Sequence, residues 1–571
     1  MKEVMHNHHE DWKTWDFNQL MLAYADLEKD EISSRQVANW LARWTETAAC
    51  CDELYNRLYV ATTVNTANKE AQKRFEGFME NNFSVWQSAE QKLKEKLLAS
   101  GLDIDGMQIP LRGMRAEADL FREENLALFV QEEKINTAHD QVMGAQSVQW
   151  QGEERTVRQM EVVLREPERE VRRAGWELMA DRQLQDREAI NGQWLEYLHL
   201  RSEIARNAGF DDFRAYRWQQ MKRFDYTPDD CKKFHDAIEQ VAVPACMRLA
   251  ERRKRKLGID KLRYYDLLVD LSGQPQLKPF RDVRELIDKA EAIFTNVHPS
   301  FGEYFHIMNR EGLLDLENRK NKAAGGYCTD FSHAKRPFIF ANAVGIHDDV
   351  QTLMHEGGHA FHAFESYKLP YFQQRSEASL PMEFAEVASM AMEYLTSIYL
   401  DRDHGGYYSA ADAARARVDH LEGGLLFWPY MAVVDAFQHW VYENPQESRH
   451  TDRCDAKWAA LEARFRPFID WEGYEDAGMT GWQRKDHIHQ SPFYYVEYGL
   501  ALLGAAQVWR NSLSDQARAV AQYRSALALG GTAGLPDLYK TAGARLAFDA
   551  STLGDAVQLM ETTILDLEAG Y

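Results

Sequence analysis

Residues 348–364 read DDVQTLMHEGGHAFHAF, and this stretch predicts both a helix and the chemistry that the helix carries. Within it, His355, Glu356 and His359 form the pattern HExxH. Residues four apart lie on the same face of a helix, so both imidazoles can reach one metal ion. Glu356 then lies close enough to take a proton from water that the metal activates. The stretch therefore predicts a metal site on a helix at the wall of a cleft.

The residues around the motif predict one buried face and one metal face. Asp348 is the expected N-cap, with Gln351 three residues later as in a capping box. At about 100° per residue, one apolar stripe is formed by Val350, Leu353, Met354, Gly357, Phe361 and Phe364. The histidines, His362 included, fall on the opposite side. Gly357 and Gly358 each cost about 1 kcal/mol inside a helix, which indicates that a strand or a substrate backbone passes close to them.

A third ligand is expected on the next apolar stretch, Leu380–Tyr399. This stretch carries Glu383, Glu386 and Glu393 on one face, and buried carboxylates need a metal or a cation to compensate them. Two histidines, one glutamate and water form a catalytic zinc set, and spacing alone does not choose between Glu383 and Glu386. The alternative is a solvent-facing acidic stripe.

Two further residues are expected to support the ligands rather than to bind the metal. Glu393 is expected to orient a metal-bound histidine through its ring N–H, with a structural salt bridge as the alternative. His362 is expected to lie behind the ligands or in the wall, because three ligands from under two turns of one helix give poor tetrahedral geometry.

The composition is that of a large globular protein. The chain has 571 residues, of which 45% are hydrophobic and 27% charged. A core of this size needs no metal to fold, so a bound metal is expected to be functional. The net charge of −22 argues against nucleic acid as a partner, and the basic run 252–256 is expected to be a solvated helix face. No apolar run is long enough to predict a membrane span.

The cysteines and the N-terminus indicate the compartment. Six cysteines are scattered with no CxxC pair, which is typical of reduced thiols in a cytosolic protein. The first residues lack an apolar segment after a basic start, so no secretory signal is predicted. The nearby His6, His8 and His9 are expected to form a polar terminus. We expect a cytoplasmic protein without a membrane or nucleic-acid partner, and the oligomeric state stays open.

Most of the chain has the composition of helices. Examples are Lys69–Leu98, Thr156–Ala208 and Asp229–Lys256. A boundary is expected near Arg165, which divides an N-terminal helical lobe, 1–165, from a catalytic domain, 166–571. Residues 320–346 contain Gly-Gly and two runs of aromatic and β-branched residues, and they predict a small antiparallel sheet just before the HExxH helix. The predicted fold class is mainly α with this one β insertion.

Five stretches together resemble the M3 family of zinc metallopeptidases, the group of oligoendopeptidase F and thimet oligopeptidase. The bacterial Pz-peptidase-like branch fits best. The stretches are GGYCTDFSHAKRPFIFAN (325–342), MHEGGHAFH (354–362), FAEVASMAMEY (384–394), HIHQSPFYYVEYGLALL (487–503) and GGTAGLPDLYKTAGARLAF (530–548). The resemblance covers about residues 160–571. Before them, only the helix-favouring composition is similar. It implies a two-lobed helical fold with a deep central channel that admits short flexible peptides and excludes folded proteins.

The resemblance also implies roles for individual residues. It assigns one zinc ion per chain to His355, His359 and Glu386, with Glu356 as the general base. Because F-x-E-V matches the family pattern, it favours Glu386 over Glu383.

Two other groups of residues acquire roles from the resemblance. Gly325, Gly326 and Tyr327 are expected to hold substrate by strand addition. The donors to the oxyanion are expected in the C-terminal segment, where the candidates are His487, Tyr494, Tyr495 and Tyr498. Tyr498 is favoured as the donor, Tyr494 is expected to contact substrate, and His487 is favoured over His489.

The implied activity is that of a zinc-dependent oligoendopeptidase, which hydrolyses internal bonds of short unfolded peptides. A carboxypeptidase or dipeptidyl carboxypeptidase on the same zinc site is one alternative. It would need a cation for the terminal carboxylate, and Arg336, Arg375 and Arg484 qualify. The other alternative is a non-catalytic peptide-binding protein, against which the intact set of two histidines and two glutamates argues.

Overall fold

The computed structural model describes residue 12 and residues 15–569. The predicted polar terminus with His6, His8 and His9 lies outside these residues. Helices dominate the described chain and the strands are short, which confirms the mainly α fold class.

The helices are of ordinary length in the first half of the chain and include the longest one in the second half. Up to residue 310 they are α1 (Phe17–Lys29), α2 (Val37–Thr63), α3 (Lys69–Phe78), α4 (Ser84–Ser100), α5 (Gln108–Leu120), α6 (Glu123–Gly144), α7 (Val157–Met160), α8 (Arg169–Leu184), α9 (Arg187–Asn207), α10 (Phe213–Gln220), α11 (Pro228–Ala237), α12 (Val243–Leu257), α13 (Val283–Val297) and α14 (Pro299–Arg310). After residue 346 they are α15 (His347–Ser366), α16 (Met382–Thr396), α17 (Ala410–Glu443), α18 (Thr451–Phe465), α19 (Glu475–Met479), α20 (Asp486–His489), α21 (Tyr495–Ser514), α22 (Gln516–Leu527), α23 (Leu535–Thr541) and α24 (Ala550–Ala569).

The three stretches predicted from composition are helical, but one of them is broken. Lys69–Leu98 and Asp229–Lys256 each contain one π-helical turn, at Met79–Phe83 and Ile238–Ala242. The stretch 156–208 is interrupted before α8, where Glu166 is extended at ψ 139°. Pro167 follows it, and a proline disfavours the helical conformation of the residue before it.

Two small sheets interrupt the helices. Strands β1 (Ser147–Trp150) and β2 (Glu153–Thr156) form an antiparallel hairpin. Its turn residues Gln151 and Gly152 both have positive φ, 52° and 86°, as a two-residue hairpin turn of matching twist requires. The second sheet has the strand order β3–β5–β4, with β3 at Leu314–Glu317, β4 at Tyr327–Phe331 and β5 at Arg336–Ala343.

The sheet before the HExxH helix confirms one prediction and adds a strand to it. Strands β4 and β5 are antiparallel, with Tyr327 opposite Phe340, as the sequence predicts. Strand β3 pairs with β5 in parallel and was not predicted. Because β5 lies in the middle, β4 is an edge strand of this sheet.

Contacts group the chain into two compact units, each assembled from three segments. The first unit combines the residues up to 118 with 277–413 and 504–546. The second combines 119–276, 414–503 and the residues from 547 on. The three-stranded sheet, α15 and α16 all belong to the first unit.

The N-terminal helices of the first unit have a core of their own. Its buried apolar residues all lie between Tyr24 and Met114, and Trp44 is fully enclosed among them. From elsewhere in the chain, Tyr371 and Phe372 pack against this core while remaining partly exposed. These helices therefore bury much of their apolar surface against one another.

Helix α15 packs against β5 and α16. All six residues of the predicted apolar stripe are buried, including Val350 and Phe361, so that prediction is confirmed. The predicted N-cap is wrong, because the helix begins at His347. Asp349 instead accepts hydrogen bonds from the backbone N–H groups of Val344, Gly345 and Ile346, at 2.7–2.9 Å. A carboxylate in the first turn stabilises the preceding loop and the positive end of the helix dipole.

The basic run at the end of α12 is partly paired and partly exposed. Arg253 is 4% exposed and donates to Glu422 and to the carbonyl of Val269, both at 2.6 Å. Arg252 and Lys256 bind Glu568 of α24. The expected solvated face is therefore wrong for Arg252 and Arg253, which contact carboxylates of α17 and α24, whereas Arg255 and Lys256 are exposed.

Among the described residues, we find no helix with the length and apolar character that a membrane crossing needs.

Candidate metal centre

The ligand atoms of His355, His359 and Glu386 converge. They all lie within 4.8 Å of one another. Nε2 of His355 is 3.5 Å and Nε2 of His359 is 3.7 Å from Oε2 of Glu386. A tetrahedral ion with bonds of about 2.0–2.1 Å separates its ligand atoms by about 3.3–3.4 Å. These donors therefore fit one small divalent ion, whereas Glu383 does not belong to the group.

A glycine allows the two ligand-bearing helices to come this close. A Cβ built on Gly358 would lie 2.6 Å from the carbonyl oxygen of Ala388 and 2.6 Å from Cα of Ser389. Both atoms belong to the backbone of α16, within one turn of Glu386. A Cβ built on Gly357 would likewise lie 2.6 Å from Cζ of the Phe294 ring. The predicted close approach is thus correct, but the partners are α16 and Phe294 rather than a strand or a substrate.

Glu393 holds His355 in the orientation that a ligand needs. Its Oε1 lies 2.7 Å from Nδ1 of the ring, so Nδ1–H donates to the carboxylate and the Nε2 lone pair is left for a metal. Burial lowers the pKa of His355, but the hydrogen bond and charge of Glu393, with the charge of Glu386, outweigh it and raise this pKa to about 9. The negative charges around the His355 ring therefore favour a positive charge at this position.

Glu356 lies beside these ligands on the same helix and is 9% exposed. Burial raises the pKa of its carboxyl to about 7, even though His355 and the backbone N–H of Cys328 favour the charged form. A carboxyl group with a pKa near 7 can both accept and return a proton at neutral pH. The contact with Cys328 also sets Glu356 against the edge strand β4.

His362 lies apart from the ligand atoms. Its ring is 3% exposed and packs edge-on against Phe384 at 6.1 Å. Burial lowers the pKa of His362 to about 4, so the ring is neutral. Its Nε2 makes no hydrogen bond to any residue that the structure describes.

One contact at this site was missed in the sequence. Oγ of Ser389 lies 3.0 Å from both the carbonyl oxygen and Oε2 of Glu386, so its one hydroxyl proton is available to either acceptor. A serine three residues after a glutamate lies on the same helix face, and this spacing is the signal that could have found it.

The residues expected to hold substrate lie at the start of β4. Gly325 has φ +92°, a conformation that favours glycine. A Cβ on Gly326 would lie 3.3 Å from the carbonyl oxygen of Phe340. The ring of Tyr327 stacks on Phe340 at 4.8 Å, and its hydroxyl is 2.6 Å from Oγ1 of Thr63. The Tyr327 side chain is therefore occupied by packing, which leaves only main-chain groups for a ligand.

The predicted oxyanion donors form one cluster in the second unit. The ring of His487 lies 5.9 Å from Tyr494, 5.1 Å from Tyr495 and 6.0 Å from Tyr498. Burial, reinforced by the charge of Lys485, lowers the pKa of His487 to about 4. The ring is therefore neutral and keeps one N–H for donation.

His489 occupies a different environment from His487. It is fully buried, and its ring stacks on those of His139 at 4.5 Å and Trp482 at 5.9 Å. His487 is partly exposed. Of the two histidines, only His487 belongs to the tyrosine cluster.

The three candidate cations for a substrate carboxylate are engaged with other protein groups. Arg336 binds Glu311 at 2.7 Å. Arg484 donates to the carbonyl of Ala477 at 2.6 Å. Arg375 is 5% exposed and donates to the carbonyl of Leu369 at 3.3 Å. No contact of these three residues favours the carboxypeptidase alternative.

Comparisons with known proteins agree with this fold. The model of peptidase family M3 matches residues 162–555. The chromosomal oligoendopeptidase F of Lactococcus lactis subsp. cremoris is 22% identical over 336 residues, which are 57% of this chain and 52% of that protein. Oligopeptidase PepF of Bacillus subtilis (strain 168) is 23% identical over 310 residues, 53% of this chain and 43% of that protein. The matched part thus spans about half the length of these curated relatives.

A solved structure extends the similarity over nearly the whole chain. Pz peptidase A, determined with an inhibitor, matches with a TM-score of 0.84 and 26% identity, over 98% of this chain and 97% of that one. An HExxH helix whose two histidines converge with a glutamate carries a ligand set of metallopeptidases. The chain belongs to peptidase family M3, which confirms the resemblance seen in the sequence.

Proposed function

We propose that this chain is a zinc-dependent oligoendopeptidase that hydrolyses internal bonds of short unfolded peptides. The observation that carries the proposal is the convergence of His355, His359 and Glu386 beside the buried Glu356. Membership of peptidase family M3 supports the reaction class. The names of the relatives, oligoendopeptidase F and oligopeptidase PepF, support oligopeptides as substrates.

His355, His359 and Glu386 would hold one zinc ion per chain. When bound, zinc supplies a Lewis acid that makes water a nucleophile at neutral pH. Glu356 takes the proton from that water on its carboxylate and then gives it to the nitrogen of the leaving amine. Glu393 keeps His355 in the tautomer whose Nε2 is free to bind.

Strand β4 would position the peptide. Among the described residues β5 is its one strand partner, and Glu356 contacts its backbone at Cys328. An extended peptide added along Gly325, Gly326 and Tyr327 gains main-chain hydrogen bonds without a strong demand on its sequence. The occupied side chain of Tyr327 is consistent with this main-chain role.

The cluster around His487 would stabilise the oxyanion and contact the substrate. His487, Tyr495 and Tyr498 are the proposed catalytic donors, and Tyr494 the proposed substrate contact. A neutral histidine and protonated tyrosines carry the N–H and O–H groups that a developing negative charge requires. Burial keeps the pKa of Tyr495 well above its usual value, in favour of the donor form.

The proposal also covers the division of the chain into domains and the source of the substrates. Residues 166–571 would carry the catalytic machinery and residues 1–165 a helical lobe, with short peptides entering a central channel. The proposed boundary differs from that of the compact units, which separates residues up to 118 from 119–165. Short cytoplasmic peptides would be the substrates.

A defined peptide mixture tests the proposal. It contains short internally quenched peptides, the same peptides amidated at the C-terminus, and a folded protein such as albumin, each with and without a zinc chelator. Chelator-sensitive cleavage of both peptide sets with the folded protein intact is the expected result. Loss of cleavage on amidation would move the assignment to a carboxypeptidase, and absence of cleavage with zinc bound would favour a peptide-binding protein.

A further inference from the structure

A second group of metal-ligand side chains shares no residue with the candidate metal centre. Glu46 and Cys50 lie one turn apart on α2, and His333 lies in the turn between β4 and β5. Their ligand atoms all lie within 4.8 Å of one another. Thiolate, imidazole and carboxylate are the three ligand types that zinc takes in proteins.

One ring nitrogen faces both other ligands. Nδ1 of His333 is 3.4 Å from Sγ of Cys50 and 3.2 Å from Oε1 of Glu46. A ring nitrogen carries either one proton or one lone pair, so it makes one well-directed hydrogen bond rather than two. A metal ion among the three atoms would use all of them at once.

The distances agree with those of a tetrahedral ion. Bonds of about 2.3 Å to sulfur and about 2.0–2.1 Å to nitrogen and oxygen separate sulfur from nitrogen by about 3.5 Å, and nitrogen from oxygen by about 3.3–3.4 Å. The observed contacts of His333 are both within about 0.2 Å of these values, the usual tolerance for a metal site. Small adjustments of the side chains are therefore enough to bring these atoms into tetrahedral coordination of one ion.

The group is open to solvent and has room for a fourth ligand. The side chains of Glu46 and His333 are 68% and 35% exposed, whereas Cys50 is 8% exposed. An ion can enter from the surface, and water can complete its coordination. The positive charges of Lys335 and Arg375 also attract the Glu46 carboxylate and compete with a metal ion for it. The thiolate and the imidazole must therefore supply most of the affinity for the metal.

A comparable group in the second unit lacks these properties. Cys231, Asp435 and His439 also have ligand atoms within 4.8 Å of one another. However, Arg214 lies 3.3 Å from Nδ1 of His439 and donates to it, which leaves the proton of the neutral ring on Nε2. Asp435 is already bound to His235 at 2.8 Å. Two of its three members therefore already contact polar groups outside the cluster.

We propose that Glu46, Cys50 and His333 form a second metal site, which binds zinc or a similar divalent transition-metal ion. The ion joins α2 to the turn that connects β4 and β5. Binding replaces the proton of the Cys50 thiol, which passes to solvent, and uses the lone pair on Nδ1 of His333 while the ring keeps its proton on Nε2. No electron transfer is involved.

Cobalt(II) titration of the metal-free full-length chain tests the proposal. A cobalt–thiolate bond gives a charge-transfer band in the near ultraviolet, and the two histidines and glutamate of the candidate catalytic centre contain no sulfur. We expect the band to appear in the wild-type chain and to saturate by two cobalt ions per chain, because the candidate catalytic centre takes up the other ion without contributing to the band. Cys50→Ser should abolish it. Cys51→Ser, on the adjacent and fully buried position of α2, is the matched control and should retain it.

Zinc counting by equilibrium dialysis separates this site from the catalytic one. We expect two ions per wild-type chain and one each for Cys50→Ser and His359→Ala, with the cobalt–thiolate band lost only in the first. His333→Gln should weaken binding at the second site at least about 100-fold. Absence of the band from the wild-type chain, its persistence in Cys50→Ser, or unchanged affinity in His333→Gln would overturn the proposal.

Discussion

Substitution of Gly358 by alanine should separate zinc binding from folding. The added Cβ would lie 2.6 Å from Cα of Ser389, about 1 Å closer than the optimal contact between two carbons. The opposing atoms are backbone, so α16 must move by about 1 Å, and Glu386 moves with it. A metal site tolerates displacements of only about 0.2 Å.

The two expected free-energy changes differ in size. Alanine gains about 1 kcal/mol of helix propensity over glycine, and overpacking costs about 1–3 kcal/mol, so the free energy of unfolding should fall by no more than about 2 kcal/mol. Zinc affinity should fall at least about 100-fold, which is about 2.8 kcal/mol of binding free energy.

Two measurements on matched variants check this prediction. Chelator competition gives the zinc affinity, and denaturant unfolding of the metal-free chain gives the stability. Gly192→Ala is the control, because Gly192 lies inside α9 with open space where its Cβ would be. It should bind zinc as the wild-type chain does and be slightly more stable. Wild-type zinc affinity in Gly358→Ala would refute the argument that this glycine sets the distance between α15 and α16.

Four other outcomes are expected. Glu356→Gln should keep zinc but lower kcat by about 10²–10⁴-fold, and undiminished turnover of quenched peptides would contradict its role as general base. Glu393→Gln should weaken zinc binding by about 10–100-fold in chelator competition because the hydrogen bond to His355 changes; an unchanged affinity would make Glu393 merely structural. Tyr498→Phe should lower kcat by about 10²–10³-fold with zinc content unchanged, and a steady-state assay that finds full kcat would remove Tyr498 from the set of donors. Burial raises the pKa of Asp52 from 3.8 to about 7, so the folded chain binds this proton more tightly than the unfolded chain. The free energy of unfolding should therefore fall as the pH rises from about 4 to about 7. Asp52→Asn should flatten this part of the pH profile in urea unfolding, and an unaltered slope would show that Asp52 does not cause it.

The parts of the site that depend on local geometry could be predicted from the sequence. The i, i+4 spacing of His355 and His359 and the apolar stripe of α15 follow from helical periodicity alone. The choice between Glu383 and Glu386 does not follow from periodicity, because it depends on how α16 packs against Gly358. Aspartates at both 348 and 349 made the helix start ambiguous, and Asp349 acts from within the first turn.

Longer-range features were beyond the sequence patterns used. Strand β3 has four residues, Leu314–Glu317, too few to show a clear alternation. The Glu46–Cys50–His333 group joins residues almost 290 positions apart in the sequence. The two compact units are discontinuous in sequence, and no local change in composition marks which segments pack together.

The discontinuity of the first unit has a consequence for biosynthesis. Residues up to 118 belong to a unit that is completed only by 504–546, about 430 residues later. At a ribosomal rate of about 5–20 residues per second, this delay is about 20–90 s. During that time the N-terminal helices can condense on the core between Tyr24 and Met114, which hides their apolar faces from other nascent chains. The edge of this core that receives Tyr371 and Phe372 stays uncovered until about 250 further residues have been made, which takes about 13–50 s at the same rate.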